Sequence, residues 1–302
     1  MRDMTSQSAA ARADLARAAA DFDQVRPRLF GIAYRMLGSA SEAEDIVQDV
    51  WLKWQAYDRS QVREATAFLS TITTRLAINE ATSARVRRET YVGPWLPEPV
   101  DTAADPALGA ERAEALGFAV LILMENLSPK ERAAYVLREA FDYPYDEIAA
   151  IIQTTEPATR QLVSRARKHV STRPRAAVNS EQQQRFLEAF VVAAQTGDLA
   201  ALEGILTADV VSYSDGGGVV RASRIPVFGR VRVSKYVRAF ANRFWEDVEV
   251  RAIRANGQAA VLLARGGVDF AVVTVDASDD GIGQVLWLLN PHKLEAITSD
   301  AA

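Results

Sequence analysis

The side chains best suited to chemistry lie on a basic segment in the middle of the chain. The spacing predicts a short helix over residues 146–152, a three-residue turn and a second helix over residues 156–170, which is the spacing of a helix-turn-helix. One face of the second helix is apolar. The other face carries Arg160, Gln161, Ser164, Arg165, Arg167 and Lys168. These side chains can bond to base edges and phosphates, so the pattern indicates duplex DNA; the alternative is a solvated basic face.

An acidic helix nearer the N-terminus suggests a different partner. Ser41 with Glu44 three residues later is a capping-box pattern, so we expect the helix to begin there. Its polar flank holds Glu44, Asp45, Gln48 and Asp49, and Trp51 lies on the adjacent apolar flank. An acidic surface beside an aromatic ring suits a basic protein partner and repels DNA.

A third candidate surface lies on the helix predicted over residues 67–88. Arg75 and Asn79 are four residues apart and therefore share a face. The end of this helix is basic and carries Arg85, Arg87 and Arg88. Such a face can follow a separated strand and bond to unstacked bases.

Composition excludes several classes of site. The 302 residues suggest two or three domains, and the net charge of −4 argues against a general polyanion binder. With no cysteine and two histidines, the chain predicts no disulfide, no thiolate zinc site and no multi-histidine metal centre, and we expect neither a metal nor a cofactor. Residues 1–20 do not have the pattern of a signal peptide, and the longest apolar run, 118–124, is too short to span a bilayer. We therefore expect a cytoplasmic protein.

The chain divides into five segments that differ in composition and hydrophobic periodicity. We predict a flexible or loosely helical arm over residues 1–20, a helical domain over 21–90, a linker over 91–107, a second helical domain over 108–175 and an α+β domain over 180–302. The linker is rich in proline, which stops helices. Because it also contains Trp95 and Leu96, which are costly to expose to water, we expect part of it to dock onto a folded surface.

The C-terminal domain is expected to pack helices against a curved antiparallel sheet. Its predicted helices cover residues 184–206 and 233–245. The predicted strands cover residues 210–214, 219–222, 248–254, 259–263, 268–275 and 283–289.

Together these motifs resemble the extracytoplasmic-function (ECF) group of sigma factors. The stretches DQVRPRLFGIAYRMLGSASEAEDIVQDVWLKW and FLSTITTRLAIN are similar to the domain that binds core RNA polymerase and opens the −10 element. LSPKERAAYVLREAFDYPYDEIAAII and TTEPATRQLVSRARKHV are similar to the domain that reads the −35 element. The resemblance implies polymerase contacts, at the beta-prime clamp and beta flap, from a surface that includes Asp45, Gln48, Asp49 and Trp51. It implies −10 contacts by Arg75 and Asn79 with Arg85, Arg87 and Arg88, and −35 contacts by Arg160, Gln161, Ser164, Arg165 and Lys168.

Three further motifs resemble those of the sigma-J-like subgroup, whose extra domain has the SnoaL-like fold. They are WLPEP (Trp95, Leu96, Pro97, Glu98, Pro99), DGGG (Asp215, Gly216, Gly217, Gly218) and the tail NPHKL (Asn290, Pro291, His292, Lys293, Leu294). The resemblance implies two all-α sigma domains followed by an α+β cone with a regulatory role. Two residues depart from the subgroup pattern: Val219 stands where lysine is usual, and His292 where aspartate is usual.

Three functions are compatible with these features. The first is a sigma factor whose activity is modulated by its own C-terminal domain, with no catalytic step. The second is a helix-turn-helix regulator that binds operators without polymerase, although it has no use for the acidic helix. The third is a SnoaL-like enzyme or sensor fused to a DNA-binding regulator.

Two expectations about the cone follow. Its candidate lining residues are Tyr213, Asp215, Lys235, Asp269 and Trp287. Asp215, which precedes three glycines, is more simply a turn residue. A small-molecule ligand in the cone is a further expected partner.

Overall fold

The computed structural model describes residues 2–101, 117–170 and 178–298, with residues 2–13, 296 and 298 described by their backbone alone. The contacts divide the chain into two units. The first contains Met1–Ala84 and Leu127–Ala166, and the second contains Arg85–Asn126 and Arg167–Ala302. Among the described residues, none of the helices is both long and apolar enough to cross a bilayer.

The described helices are α1 (Arg2–Leu37), α2 (Ala40–Ala56), α3 (Ala65–Glu89), α4 (Phe118–Met124), α5 (Pro129–Glu139), α6 (Tyr145–Ile152), α7 (Glu156–Val170), α8 (Ser180–Thr196), α9 (Leu199–Ile205), α10 (Arg230–Phe244) and α11 (Pro291–Thr298), with a short 3₁₀ turn at Arg59–Gln61. The strands are β1 (Leu206–Asp215), β2 (Val227–Phe228), β3 (Val248–Ala255), β4 (Gln258–Arg265), β5 (Val268–Ser278) and β6 (Gly281–Leu288).

The first unit is built on the pairing of α1 with α2. Helix α1 buries a stripe at helical spacing that includes Leu29, Ile32, Ala33 and Met36. The indole nitrogen of Trp54 in α2 donates to the carbonyl of Ala18 at 3.0 Å. Residues 2–20, predicted as a flexible or loosely helical arm, are thus the start of one long helix.

Helix α2 begins two residues before the predicted position. Its N-cap is Ser39, whose hydroxyl accepts from the Glu42 amide at 3.1 Å. The capping box predicted from Ser41 and Glu44 is therefore wrong. Gly38, with a positive φ of 68°, follows the last residue of α1, and α2 begins directly after Ser39.

The predicted helix-turn-helix is present as α6 and α7. A capping box between Ser128 and Glu131 starts α5, which packs on α6. Gln153 takes a left-handed conformation, with φ 54°, and closes α6. Helix α7 buries Val163, Ala166 and other residues of its apolar face.

The second unit contains one six-stranded sheet with the order β2-β1-β6-β5-β4-β3. Strands β1 and β6 pair in parallel and the other neighbours are antiparallel, so the prediction of a wholly antiparallel sheet is wrong. Residues 219–222 form a turn and loop, and the short second strand is Val227–Phe228. The single helix predicted over 184–206 is two helices, because Gly197 is left-handed and Asp198 caps α9.

Both faces of the sheet are covered. On the inner face, Trp287 and Val285 pack with residues of α8 and α10, such as Phe190 and Val237. On the outer face, Leu286 and Leu288 pack with residues outside the sheet: Leu96 of the linker, Phe118 of α4, and Leu294 and Ile297 of α11. The linker, α4 and α11 therefore form the outer layer of the C-terminal domain.

A buried glutamine ties α8 to the sheet and gives a first prediction. The amide nitrogen of Gln183 donates to the carbonyls of Ala259 and Val275, at 3.1 and 2.9 Å, and its amide oxygen accepts from the Ala259 N–H at 3.0 Å. Gln183→Leu should lower the free energy of unfolding of this unit by about 1–3 kcal/mol, because a buried N–H loses its partner. Gln184→Leu, at the adjacent exposed position, is the matched control. Urea titrations that gave equal midpoints for the two variants would contradict this role.

Candidate functional site

The candidate DNA-reading face of α7 is exposed. Gln161, Ser164 and Lys168 lie on the solvent side of the helix. Arg160 bonds to Glu156 at 2.6 Å and its guanidinium lies 4.3 Å from the centre of the Tyr145 ring. This face can present donors to base edges once these side chains exchange their internal partners for DNA.

Arg165 is oriented by a neighbouring helix. Its Nε donates to Oε1 of Glu131 at 2.8 Å. Burial would raise the pKa of the Glu131 carboxyl, but hydrogen bonds from Ser128 and the nearby Arg165 charge outweigh it and lower the pKa below its usual value. Glu131 is therefore an anion that both caps α5 and holds Arg165.

The two residues expected near the −10 element have different surroundings. Asn79 is exposed. The guanidinium of Arg75 donates to the carbonyls of Ile151 and Ala150, at 3.0 and 3.1 Å, in the last turn of α6. A cation at a helix C-terminus is well placed electrostatically. Arg75 therefore links α3 to the helix-turn-helix within the first unit.

The three arginines at the basic end of α3 also differ in their surroundings. Arg85 and Arg87 are exposed. Arg88 lies 3.6 Å from the centre of the Trp95 ring and pairs with Glu125. The guanidinium of Arg88 therefore supports the linker in this structure.

The acidic flank of α2 is exposed as predicted. Asp45, Gln48 and Asp49 face solvent, and Glu44 pairs with Arg26 at 2.6 Å. Trp51 is half-buried, and its ring packs on Phe22 with centroids 5.0 Å apart. Trp51 thus also helps to hold α1 to α2.

The motifs WLPEP, DGGG and NPHKL meet at one buried carboxylate. Asp215 is fully buried at the end of β1. Its Oδ2 accepts from the Leu96 amide at 2.8 Å and from Nζ of Lys293 at 2.8 Å. Its Oδ1 accepts from the hydroxyl of Tyr91 at 2.5 Å and from the Gly217 amide at 3.1 Å. We call Asp215, Lys293, Tyr91, Leu96 and Asn290 the linker network.

Lys293 is the cation of the linker network. It is buried, and its Nζ also donates to the Leu96 carbonyl at 2.5 Å and lies 4.2 Å from the centre of the Trp95 ring. Burial lowers the pKa of Lys293, while the charge of Asp215 opposes that shift. Burial, together with the hydrogen bond to Asp215, raises the pKa of Tyr91, which therefore stays a neutral donor.

Asn290 joins the tail to the same network. Its amide nitrogen donates to the Tyr91 hydroxyl at 2.9 Å, and its amide oxygen accepts from the His292 N–H at 3.2 Å, which caps α11. Pro291 occupies the first position of that helix, where no N–H is needed. The tail motif is thus a helix start that directs Lys293 into the network and Leu294 into the outer core.

The glycines after Asp215 are required because neighbouring groups lie where a Cβ atom would be. A Cβ on Gly217, whose φ is 59°, would collide with the Asn290 amide, and one on Gly216 would collide with the Val220 carbonyl. Gly218 also has a positive φ, of 76°. The two departures from the subgroup pattern, Val219 and His292, are exposed and contribute no side chain to the linker network.

The far end of the linker is held by a hairpin turn. The Val100 N–H donates to the Asn256 side chain at 3.0 Å, and the Asn256 N–H donates to the Val100 carbonyl at 3.0 Å. Asn256 is left-handed and precedes Gly257 between β3 and β4. Between these anchors Pro97 and Pro99 are buried and Glu98 is half-buried.

Two sequence predictions need correction. Asp215 is not simply a turn residue, because its carboxylate is buried and accepts hydrogen bonds from both linker and tail. The other proposed cone residues are not brought together: Asp269 pairs with Arg251, Lys235 is exposed and Tyr213 packs on the outer face. Trp287 alone of that set lines the cavity on the inner face.

Sequence reasoning missed Tyr91 and Asn256. A tyrosine just before a proline-rich segment carries no strong signal. The Asn-Gly pair between two predicted strands is typical of a tight turn, but nothing local indicates that the asparagine side chain holds the linker.

Comparison with known proteins identifies the family. The models for sigma-70 region 2 and sigma-70 region 4 match residues 22–87 and 118–170. The ECF RNA polymerase sigma factor SigJ of Mycobacterium tuberculosis is 36% identical over 230 residues, which cover 74% of this chain and 73% of that relative. A probable ECF RNA polymerase sigma factor, SigI, of the same species is 32% identical over 207 residues, 66% of this chain and 71% of that relative. The crystal structure of SigJ matches with a TM-score of 0.75 at 28% identity, covering 92% of this chain and 98% of that one.

The chain therefore belongs to the ECF RNA polymerase sigma factors. It binds RNA polymerase core and promoter DNA and directs transcription initiation, without a catalytic step of its own. The expected order of helical sigma domains followed by an α+β domain is confirmed.

The linker network yields a prediction that separates charge pairing from packing. Lys293→Met should destabilise linker docking by about 3–5 kcal/mol, because it leaves the Asp215 charge buried and unpaired. Asp215→Asn combined with Lys293→Met should recover much of that loss, since no charge then remains buried. Hydrogen exchange of the Leu96 amide, which donates to Asp215, measures the effect directly.

The exposed residue Lys235 supplies the control, and Lys235→Met should leave Leu96 exchange unchanged. Slow exchange of Leu96 in the Lys293→Met chain would show that the ion pair does not hold the linker.

Proposed function

We propose that the C-terminal domain of this sigma factor sets its activity through the docked linker. The observation that carries the proposal is the convergence of WLPEP, DGGG and the tail on the single carboxylate of Asp215. The linker connects the two stretches that match sigma-70 regions 2 and 4. Any change in how residues 91–101 are held therefore changes the tether between the −10-binding and −35-binding parts of the chain.

The proposed roles of the sigma residues follow from their exposure and charge. Exposed donors on α7 contact bases and phosphates of the −35 element: Arg160, Gln161, Ser164, Arg165 and Lys168. Asn79, Arg75 and the basic end of α3 (Arg85, Arg87 and Arg88) contact −10 DNA. The exposed acids of α2 bind the beta-prime clamp of core polymerase, and the domain that carries α7 meets the beta flap. The place of action is the cytoplasm.

Arg75 gives the proposal a conformational step. In the free chain its guanidinium is bonded to carbonyls of α6. These donors become available to DNA only when the side chain leaves those carbonyls. We propose that engagement with core polymerase favours this released arrangement, since binding energy can select a less populated one.

A small-molecule ligand in the cone is the second part of the proposal. A cavity of about 660 Å³ lies on the inner face of the sheet. Its volume falls in the range of ligand sites, and its wall is largely aromatic. Among the described residues that line it there is no histidine or carboxylate, which favours a sensor over a SnoaL-like enzyme.

Arg165 tests the −35 assignment. Arg165→Ala in the full chain should weaken binding to −35 duplex by about 1–3 kcal/mol if the guanidinium reads a base edge. Arg185→Ala, at an exposed position of α8, removes the same charge and is the control. Fluorescence anisotropy with specific and scrambled duplexes distinguishes the roles, because equal loss on both would mean a phosphate contact only.

The acidic flank of α2 tests the polymerase assignment. Asp45→Lys with Asp49→Lys should abolish co-purification with core polymerase, because both side chains are exposed and the change reverses the surface charge. The variant Glu181→Lys with Glu188→Lys makes the same change in net charge on α8 and should bind normally. Retained binding by the α2 variant would exclude this surface.

Run-off transcription tests the regulatory role. The Lys293→Met chain, which frees the linker but keeps the cone, should differ in transcript yield from the full-length protein. A chain ending near residue 175 should differ in another way, because it lacks the cone and the outer layer together. The Lys235→Met chain is the control. If both altered chains transcribe like the full-length protein from the same promoter, the C-terminal domain is a passenger.

A further inference from the structure

The cavity on the inner face of the sheet has an aromatic wall. The ring of Phe244 contacts the rings of Trp245, Phe270 and Trp287, with centroids 5.2, 5.7 and 5.5 Å away. Phe240 is 50% exposed beside them. The wall is thus preformed, and part of it remains in water when the cavity is empty, which is unfavourable for so large an apolar side chain.

The polar lining of this cavity is one-sided in charge. Arg221, Arg243 and Arg265 are its charged residues, and no described lining residue is acidic. Arg265 already donates to the carbonyls of Phe244 and Glu246, at 2.6 and 3.1 Å. Arg221 and Arg243 are exposed on the cavity rim. Their guanidinium groups are donors whose fixed geometry matches a carboxylate.

Two polar groups of the cavity lining already have hydrogen-bond partners within the protein. The Trp287 indole nitrogen is committed to the Ser212 hydroxyl at 3.1 Å, and the Ser223 hydroxyl to the Ile225 carbonyl at 2.7 Å. A ligand therefore gains charge-assisted contacts from the exposed arginines and apolar contacts from the aromatic wall. The matching molecule is amphipathic, with an apolar body and one anionic end.

From these features we infer that the cone binds a small organic carboxylate of about 10–20 non-hydrogen atoms, with its apolar body against the aromatic wall and its carboxylate at Arg221 and Arg243. The inference deepens the sensing role in the proposed function by naming the ligand class. It requires no chemical step, and it is tested without polymerase or DNA.

The matched probes are 1-naphthaleneacetate and 1-naphthaleneacetamide, which share an apolar body and differ in charge. Isothermal titration calorimetry on the full chain should show the carboxylate binding about tenfold or more tightly than the amide, since charge-assisted hydrogen bonds are stronger than neutral ones. Ligand-observed NMR on the same samples detects binding that releases no heat.

Variants locate the anion. In the Arg221→Gln with Arg243→Gln chain the preference for carboxylate over amide should disappear while the amide affinity stays. Arg238→Gln, at an exposed position of α10 that does not line the cavity, should keep the preference. The inference is overturned by equal binding of the two probes, by binding of neither in both measurements, or by a preference that survives in the double variant. Each of these outcomes leaves the transcription test of the linker unaffected, so the two proposals fail separately.

Discussion

The Asp215–Lys293 ion pair is the interaction on which the second unit depends. Removing both charges from water is costly, and their attraction offsets that cost only when the remaining polar atoms are also satisfied. The linker supplies several of those partners, through the Leu96 amide and carbonyl and the Tyr91 hydroxyl. An undocked linker would therefore leave a charged pair without its donors and acceptors. This makes the docked linker a defined state with a definite cost of release.

The ion pair lies beneath a layer that the sheet also needs. Because Leu286 and Leu288 face away from α8 and α10, the outer face of the sheet must be covered by something other than the cone helices. Leu96, Phe118 and Leu294 provide that cover, and they come from three separate parts of the chain. Packing and electrostatics thus act on the same segment. Loss of either the packing or the ion pair therefore exposes apolar surface and also uncovers Asp215.

Local sequence patterns predict much of this fold, but they do not predict the long-range contacts that build the linker network. The helix-turn-helix, the Ser128 capping box and five of the six strands follow from periodicity and caps, which depend on neighbours in sequence. Residues 219–222 look like a strand because they begin with two β-branched valines, yet the left-handed glycines before them turn the chain out of the sheet. Family motifs marked Asp215, Leu96 and Lys293 as important, but no local signal shows that residues far apart in sequence share one carboxylate. The bonds of Arg75 to α6 are long-range for the same reason.

The loop after β1 places the linker network beside the cavity. Ser214 lines the cavity while the next residue, Asp215, faces the network, because successive residues of a strand point to opposite faces. The same alternation holds at the end of β6, where Leu289 lines the cavity and Asn290 bonds to Tyr91. The Leu289 N–H donates to the Asp215 carbonyl at 2.8 Å, so the two strand ends move together. Suppose that the strand ends take one position with the linker docked and another with it released. A cavity ligand that binds one position more tightly changes the free energy of linker docking by the difference between its two binding free energies. By the same linkage, docking of the linker changes the affinity for the ligand by the same factor. Coupling between the cavity and the linker would therefore need no long pathway. Ser214 and Asp215 at the end of β1, and Leu289 and Asn290 just after β6, belong one to each site.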